Sequence, residues 1–107
     1  DIMPCSAGHT LVIPKLEVMR LEDLPETQAI SLMRTLQQVA KAVSKAYDGI
    51  DYNLILNNGA NAGQEVKHVH FHVLPRAERS PRPFRNHIQY SEGEMQEVGA
   101  RIRNCLR

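Results

Sequence analysis

The chain has 107 residues, of which 42% are hydrophobic and 23% charged, so it fits one globular domain with a core of ordinary size. A formal net charge of +1 argues against bulk electrostatic binding to nucleic acid, and no apolar run reaches the ~18 residues that a membrane span needs. Cys5 and Cys105 have neither disulfide nor metal spacing, and the start of the chain lacks a signal-peptide pattern. We therefore expect a cytoplasmic protein with free thiols and no nucleic-acid or membrane partner.

The first half of the chain predicts a strand and then a long helix. The stretch GHTLVIPK, residues 8–15, is β-branched and apolar and stops at Pro14, as expected of a short central strand. A helix pattern follows over residues 23–49, with Asp23 and Glu26 at capping-box spacing and Gly49 beyond its end. Its predicted apolar stripe comprises Ile30, Met33, Leu36, Ala40, Val43 and Tyr47.

The middle of the chain predicts a pair of antiparallel strands. DYNLILN (51–57) and VKHVHFHVL (66–74) both alternate apolar and polar residues, which is the period of a half-buried strand. Between them, NGANAGQE contains Gly59 and Gly63, which permit positive φ in a tight turn. A short loop of this kind favours a hairpin.

The end of the chain predicts an irregular segment followed by a second helix. RAERSPRPFRNHIQY (76–90) is rich in proline and arginine and reads as loop. In SEGEMQEVGARIRNCLR (91–107), Ser91 and Glu94 have capping-box spacing, and the apolar stripe is formed by Met95, Val98, Ile102 and Leu106. The order of elements predicts an α+β domain with an antiparallel sheet.

Three histidines stand at every second position of the third predicted strand. Because side chains alternate along a strand, His68, His70 and His72 should share one face, while the valines and phenylalanine between them pack on the other. One interpretation is a metal site, but the Cα atoms of His68 and His72 would lie about 13 Å apart, which is too far for three rings to converge on one ion. We therefore predict no metal.

Two further interpretations concern neutral rings. The histidines could be half-buried structural residues, hydrogen-bonded and inert. Alternatively, rings crowded on one face repel one another's protons, so at least one stays neutral near pH 7 and can attack phosphorus. The loop NGANAGQE could supply backbone N–H groups that hold phosphate oxygens, although it lacks the GK[ST] of a P-loop. Together these features favour phosphoryl or nucleotidyl transfer through a covalent histidine.

HVHFHVLP resembles the His-φ-His-φ-His-φ-φ signature of the histidine triad (HIT) superfamily of nucleotide hydrolases and transferases. GHTLVIPK and NGANAGQEVKHVHFHVLPR are similar to the other diagnostic segments of that family, in family order. The resemblance implies a HIT-like antiparallel sheet with one long helix and a C-terminal helix. It also implies that residues 1–107 form a single HIT domain without its usual N-terminal strand and helix.

The resemblance also implies roles for individual residues. His70 matches the histidine that attacks the α-phosphorus and becomes a nucleotidyl-histidine, while His72 and His9 match histidines that contact the α-phosphate, and His68 matches the one that organises the site from behind. Asp1 and Ile2 match a segment that binds the ribose and the base. Positions that line the nucleotide and phosphate are matched by Asn57, Gly63, Gln64, Glu65 and Val66, although some branches of the family carry Ser or Thr where Glu65 stands.

The function that the resemblance implies is hydrolysis of adenosine 5'-phosphoramidates to AMP, with a purine nucleotide substrate, no cofactor and a twofold homodimer. A dinucleoside polyphosphate hydrolase of the fragile-histidine-triad type is the alternative within the family. An alternative of another class is a nucleotide-binding scaffold or regulator whose activity is incidental. The long helix also has more apolar stripe than a three-stranded sheet covers, which favours a dimer independently.

Overall fold

The computed structural model describes residues 4–79 and 87–106. It contains three strands, β1 (Thr10–Val12), β2 (Asp51–Leu56) and β3 (Phe71–Arg76), and two helices, α1 (Glu26–Ala46) and α2 (Glu94–Cys105). Single 3₁₀ turns occur at Leu21–Asp23 and Ala60–Ala62. The predicted α+β class, with one long helix and a C-terminal helix, is confirmed.

The three strands form one antiparallel sheet in the order β1-β3-β2. β2 and β3 pair over their whole lengths, from Asp51 opposite Arg76 to Leu56 opposite Phe71, so the predicted strand pair is confirmed. The predicted central position of the first strand is wrong, because β3 hydrogen-bonds β1 along one edge and β2 along the other. β1 pairs with only the first half of β3, and beyond that pairing the Ser6 hydroxyl donates to the carbonyl of Pro75 at 2.7 Å.

The third strand begins five residues later than its sequence pattern predicts. Residues 66–70 leave the sheet because the N–H of His68 turns back to the carbonyl of Val66 (2.9 Å), while the N–H of Val69 donates to the carbonyl of Val18 (2.8 Å). The alternation nevertheless holds beyond this turn. Val69 and Val73 are fully buried in the core, and Phe71 packs against it.

Helix α1 lies on the sheet and buries a stripe that is rotated from the predicted one. The buried residues are Leu32, Leu36, Ala40, Ala42, Val43 and Ala46. Ile30 and Met33 were assigned to the stripe, but they are 52% and 54% exposed. The predicted capping box is also wrong: the helix begins after Pro25, and the Asp23 carboxylate accepts instead from the N–H of Arg20 at 3.2 Å.

Helix α2 packs on α1 and contributes Ile102 to the core, with Val98 and Cys105 packed against it. Met95 and Leu106, at the two ends of the predicted stripe, are exposed because only the middle of this short helix faces α1. One half of the predicted capping box is present, since the Glu94 carboxylate accepts from the N–H of Ser91 at 3.2 Å. Neither helix, in the part of the chain that the structure describes, is long and apolar enough to cross a bilayer.

Candidate active site

The histidines gather where β3 enters the sheet, on the face away from α1. His72 lies within β3, His70 directly precedes it, and their rings meet edge to face with centroids 4.8 Å apart. His9 comes from the turn before β1, and its ring lies 5.1 Å from that of His72. The structure therefore brings together His9, His70 and His72, while His68 turns away to another partner.

Two backbone carbonyls fix the protonated nitrogens of His68 and His70. A carbonyl oxygen can only accept a hydrogen bond, so Nδ1 of His70 carries a proton and donates to the His68 carbonyl at 2.7 Å. The lone pair of the neutral His70 ring is then on Nε2. His68, two positions before His70, donates through its Nε2 to the carbonyl of Pro14 at 2.9 Å, which ties it to the segment just after β1.

A second chain of hydrogen bonds fixes the tautomers of His9 and His72. The backbone N–H of Cys5 donates to Nδ1 of His9 at 3.1 Å, so neutral His9 carries its proton on Nε2. That nitrogen lies 2.9 Å from Nδ1 of His72, which must accept. Neutral His72 therefore carries its own proton on Nε2. The result is one ring with a lone pair on Nε2, His70, next to one ring with a donor on Nε2, His72.

Both His9 and His72 are neutral at pH 7. The pKa of His9 is lowered from 6.5 to about 4, chiefly by burial and then by the charge that His72 would carry. The pKa of His72 is likewise lowered to about 4, first by burial and then by His70. The sequence correctly indicated crowding between rings, but burial is the larger cause. The hydrogen bonds from Cys5 to His9 and from His9 to His72 require both rings to be neutral, since each accepts through its Nδ1.

These two pKa values predict a loss of stability in mild acid. Between pH 4 and 6.5 the unfolded chain binds protons at His9 and His72 that the folded chain does not, so the free energy of unfolding falls as the pH is lowered through this window. Below about pH 4 the two residues add no further loss. We expect a lower urea midpoint at pH 4.5 than at pH 7, and a smaller difference in His72→Gln. Equal differences in the two proteins would contradict these pKa values.

The loop between β2 and β3 holds the other predicted site residues. Asn57 and Gly63 are neighbours, since a Cβ at Gly63 would lie 3.7 Å from Nδ2 of Asn57. Glu65 and Val66 are exposed on the approach to the histidines. Asp1 and Ile2 lie outside the residues that the structure describes. The assignment of all these residues to nucleotide binding stays a prediction.

Gln64 has a structural task in this loop. Its side chain is buried, its Oε1 accepts from the N–H of Gly59 at 2.7 Å, and its Nε2 donates to the carbonyls of Met19 (2.7 Å) and Val66 (3.0 Å). The amide thus ties the loop to the segment before α1. The assignment of Gln64 to the phosphate stays a prediction, and its Nε2 would have to release one of these carbonyls to donate to a phosphate oxygen.

Four N–H groups of the loop that was expected to cradle phosphate are engaged within the loop in this conformation. The N–H groups of Ala62, Gly63 and Gln64 donate to carbonyls within the loop, and that of Gly59 donates to Gln64. Gly59 and Gly63 do adopt positive φ, at 95° and 94°, as the sequence predicts. The glycines therefore flank a 3₁₀ turn, and the imidazole of His72 offers a further donor for an anion.

Sequence reasoning missed the backbone groups that set the tautomers. The N–H of Cys5 and the carbonyl of Pro14 act through the main chain, so no residue type at those positions signals their role. Arranged as they are, the rings offer a neutral nucleophilic nitrogen beside a hydrogen-bond donor. This combination suits attack on a phosphorus atom whose oxygens need neutralising.

Comparison with known proteins places this arrangement in a family. Residues 1–79 match the HIT domain family, which is about three quarters of the chain. Among curated proteins, an adenylylsulfatase from Arabidopsis thaliana is 32% identical over the whole chain and 54% of its own length. An adenosine 5'-monophosphoramidase from Saccharomyces cerevisiae is 41% identical over 71% of this chain and 46% of its own.

A third relative and a solved structure complete the comparison. An asymmetrical bis(5'-nucleosyl)-tetraphosphatase from Schizosaccharomyces pombe is 34% identical over 91% of this chain and 52% of its own length. The crystal structure of a Hit-like protein from Bartonella henselae superposes with a TM-score of 0.84 at 35% identity, covering 98% of this chain and 76% of that one. The chain spans about half the length of these three curated relatives.

Proposed function

Because the chain belongs to the HIT domain family, we propose that it transfers an adenylyl group from a small substrate to water by way of His70. The observation that carries the proposal is the hydrogen bond from Nδ1 of His70 to the His68 carbonyl, which leaves the lone pair of the neutral ring on Nε2. A nucleophile held in one tautomer, beside a donor on Nε2 of His72, is what attack at phosphorus requires.

The proposed reaction has two displacements. In the first, Nε2 of His70 forms a bond to the α-phosphorus, the bond from phosphorus to the leaving group breaks, and the leaving group takes a proton from solvent. In the second, a water oxygen bonds to phosphorus, the bond to Nε2 breaks, and the water loses a proton to solvent. The Nε2–H of His72 donates to a phosphate oxygen and stabilises the charge that develops in both steps.

The substrate class proposed is adenosine 5'-phosphoramidates, with AMP as the product. Three relatives are named for activities on an amidate, a sulfate and a tetraphosphate, so their leaving groups differ while their substrates contain a nucleotide. The monophosphoramidase has the highest identity of these three, which supports the amidate first and the dinucleoside polyphosphate second.

We expect AMP release from adenosine 5'-phosphoramidate by the protein in EDTA, with slower release from diadenosine tetraphosphate. Activity in the chelator would agree with a reaction that uses imidazoles, without a metal ion, to neutralise phosphate charge. Faster release from the tetraphosphate would favour the second substrate class. Normal AMP binding with no release from either substrate would support the scaffold or regulator instead.

We also propose that the protein forms a homodimer through the groove between α1 and β2. The groove has a volume of about 790 Å³ and is lined by apolar side chains that include Met33, Leu36, Tyr52 and Leu54. Met33 and Leu54 are 54% and 44% exposed, and β2 is an edge strand among the described residues. Exposed edges with apolar neighbours are sites where a second strand adds. A second copy would cover both features by twofold pairing.

Light scattering tests this assembly. We expect a mass of about twice 12.1 kDa, and a shift to the monomer in Leu54→Glu, because a carboxylate would be buried at the interface. Leu106→Glu, at a similarly exposed position just past the end of α2, is the matched control and should leave the mass unchanged. A wild-type monomer at micromolar concentration would contradict the proposal.

The cytoplasm is the proposed location. Cys5 and Cys105 are free thiols, which is typical of a reducing compartment. Cell fractionation of the full-length protein would test this assignment.

A further inference from the structure

A four-residue segment just before α2 lies against the turn that carries His9. The N–H of Ile88 donates to the carbonyl of Pro4 at 2.8 Å, and Nδ1 of His87 lies 3.7 Å from Sγ of Cys5. The hydroxyl of Tyr90 accepts from the N–H of Gly8 at 3.1 Å. We call residues 87–90 the strap. It is remote from the turn in sequence and lies outside the residues that match the family.

The strap contacts the turn at Gly8, the residue whose position is most restricted by packing. Gly8 is buried with φ at +86°, and a Cβ there would lie 2.7 Å from Cε2 of Tyr47 and 3.2 Å from Cγ of Pro75. One side of Gly8 is therefore fixed by packing. A hydrogen bond fixes the direction of the Gly8 N–H, because this group donates to the hydroxyl of Tyr90. Tyr90 is half-buried at this position.

The orientation of this turn determines the proton positions in the site. His9 follows Gly8 directly, and its Nδ1 accepts from the N–H of Cys5 at the other end of the same turn. Its Nε2–H then donates to Nδ1 of His72. If the turn rotates, the bond from His9 lengthens and His72 is free to carry its proton on Nδ1. In that tautomer its Nε2 would present a lone pair to the phosphate and repel it.

We propose that Tyr90 is a positioning residue for the histidine site. Its hydroxyl, by accepting from Gly8, holds His9 so that His72 keeps its proton on Nε2. This inference rests on the proposed function where it concerns turnover, but the tautomer of His72 can be observed without any substrate. Tyr90 does not contact the reacting atoms. The strap thus takes part in the chemistry through the hydrogen bond of Tyr90, while the bond from Ile88 to Pro4 holds the strap on the turn.

The test compares Tyr90→Phe with Ser31→Ala, which removes a hydroxyl from an exposed position on α1. In Tyr90→Phe we expect kcat for AMP release to fall about tenfold, as the loss of one positioning hydrogen bond allows. KM should stay within about twofold of the wild type, because no nucleotide contact is removed. Ser31→Ala should match the wild type in both constants.

The ring nitrogens of His72 supply the readout that a merely structural role would not change. In uniformly ¹⁵N-labelled protein at pH 7, wild type and Ser31→Ala should show His72 protonated on Nε2, and Tyr90→Phe should show a mixture of tautomers. Unchanged His72 signals in folded Tyr90→Phe would overturn the proposal, whatever the activity. If the wild type releases no AMP, the proposed function fails, and the ¹⁵N signals alone decide the role of Tyr90.

Discussion

His70→Asn should lose turnover by roughly 10⁴-fold or more, the effect of removing a nucleophile that forms a covalent intermediate. Asparagine has no nitrogen lone pair available for attack, and its amide fills less space than the half-buried ring. The amide NH2 of asparagine stands near the position of Nδ1 and can still donate to the His68 carbonyl, so the substitution removes chiefly Nε2. Steady-state AMP release from adenosine 5'-phosphoramidate, followed by chromatography, measures the loss.

Nucleotide binding separates loss of chemistry from loss of the site. AMP affinity, measured by calorimetry, should change by less than about tenfold in His70→Asn, because the other residues assigned to the nucleotide are intact. The urea midpoint at pH 7 should also stay close to that of the wild type. Wild-type turnover in the variant would show that His70 is not the nucleophile and would move the assignment to another ring.

Gly8→Ala should cost about 2–4 kcal/mol of stability and abolish activity, because two effects add at this position. The φ angle of +86° is strained for alanine, and the new Cβ would lie 2.7 Å from Cε2 of Tyr47. The ring of Tyr47 cannot yield easily, since Arg101 lies over it at 4.7 Å from its centroid. Relief of the clash must move the turn, and His9 moves with it.

Gly49→Ala is the matched control for this substitution. Gly49 has nearly the same φ, +81°, but nothing lies within 4 Å of the position of its Cβ. It should therefore lose only about 1–2 kcal/mol from backbone strain and retain activity. Urea unfolding of both variants measures the two costs. Equal losses of unfolding free energy in the two variants would mean that the close approach of Tyr47 to position 8 affects neither stability nor the position of His9.

The sequence predicts the elements of this fold well where the pattern is local. The alternation around His70 and His72 correctly separates the core face from the histidine face, and the period of α1 finds a helix of the right extent. The predicted apolar stripe of α1 is displaced from the buried one, because Ile30 and Met33 fit the helical period as well as the buried residues do. Only the position of the sheet, which the sequence does not contain, determines which side of the helix is buried.

The site depends on contacts that no local pattern encodes. The three rings were predicted to share a strand, yet His68 leaves it because backbone groups of Val66 and Val18 provide other partners. The tautomer of His9 depends on a backbone N–H, and the acceptor for Gly8 comes from Tyr90, 82 residues away in sequence. Residue types identify the candidates for chemistry, while the backbone determines which nitrogen of each ring can act.

Trapping the covalent intermediate tests the central claim most directly. The protein would be mixed with adenosine 5'-phosphoramidate in EDTA, quenched in alkali within one turnover to preserve the acid-labile P–N bond, digested and examined by mass spectrometry. We predict an adenylyl group on Nε2 of His70, and no such adduct in His70→Asn. AMP release by the wild type with no adduct at any time, together with equally fast release by His70→Asn, would show that water attacks phosphorus directly, and it would contradict the assignment of His70 as nucleophile.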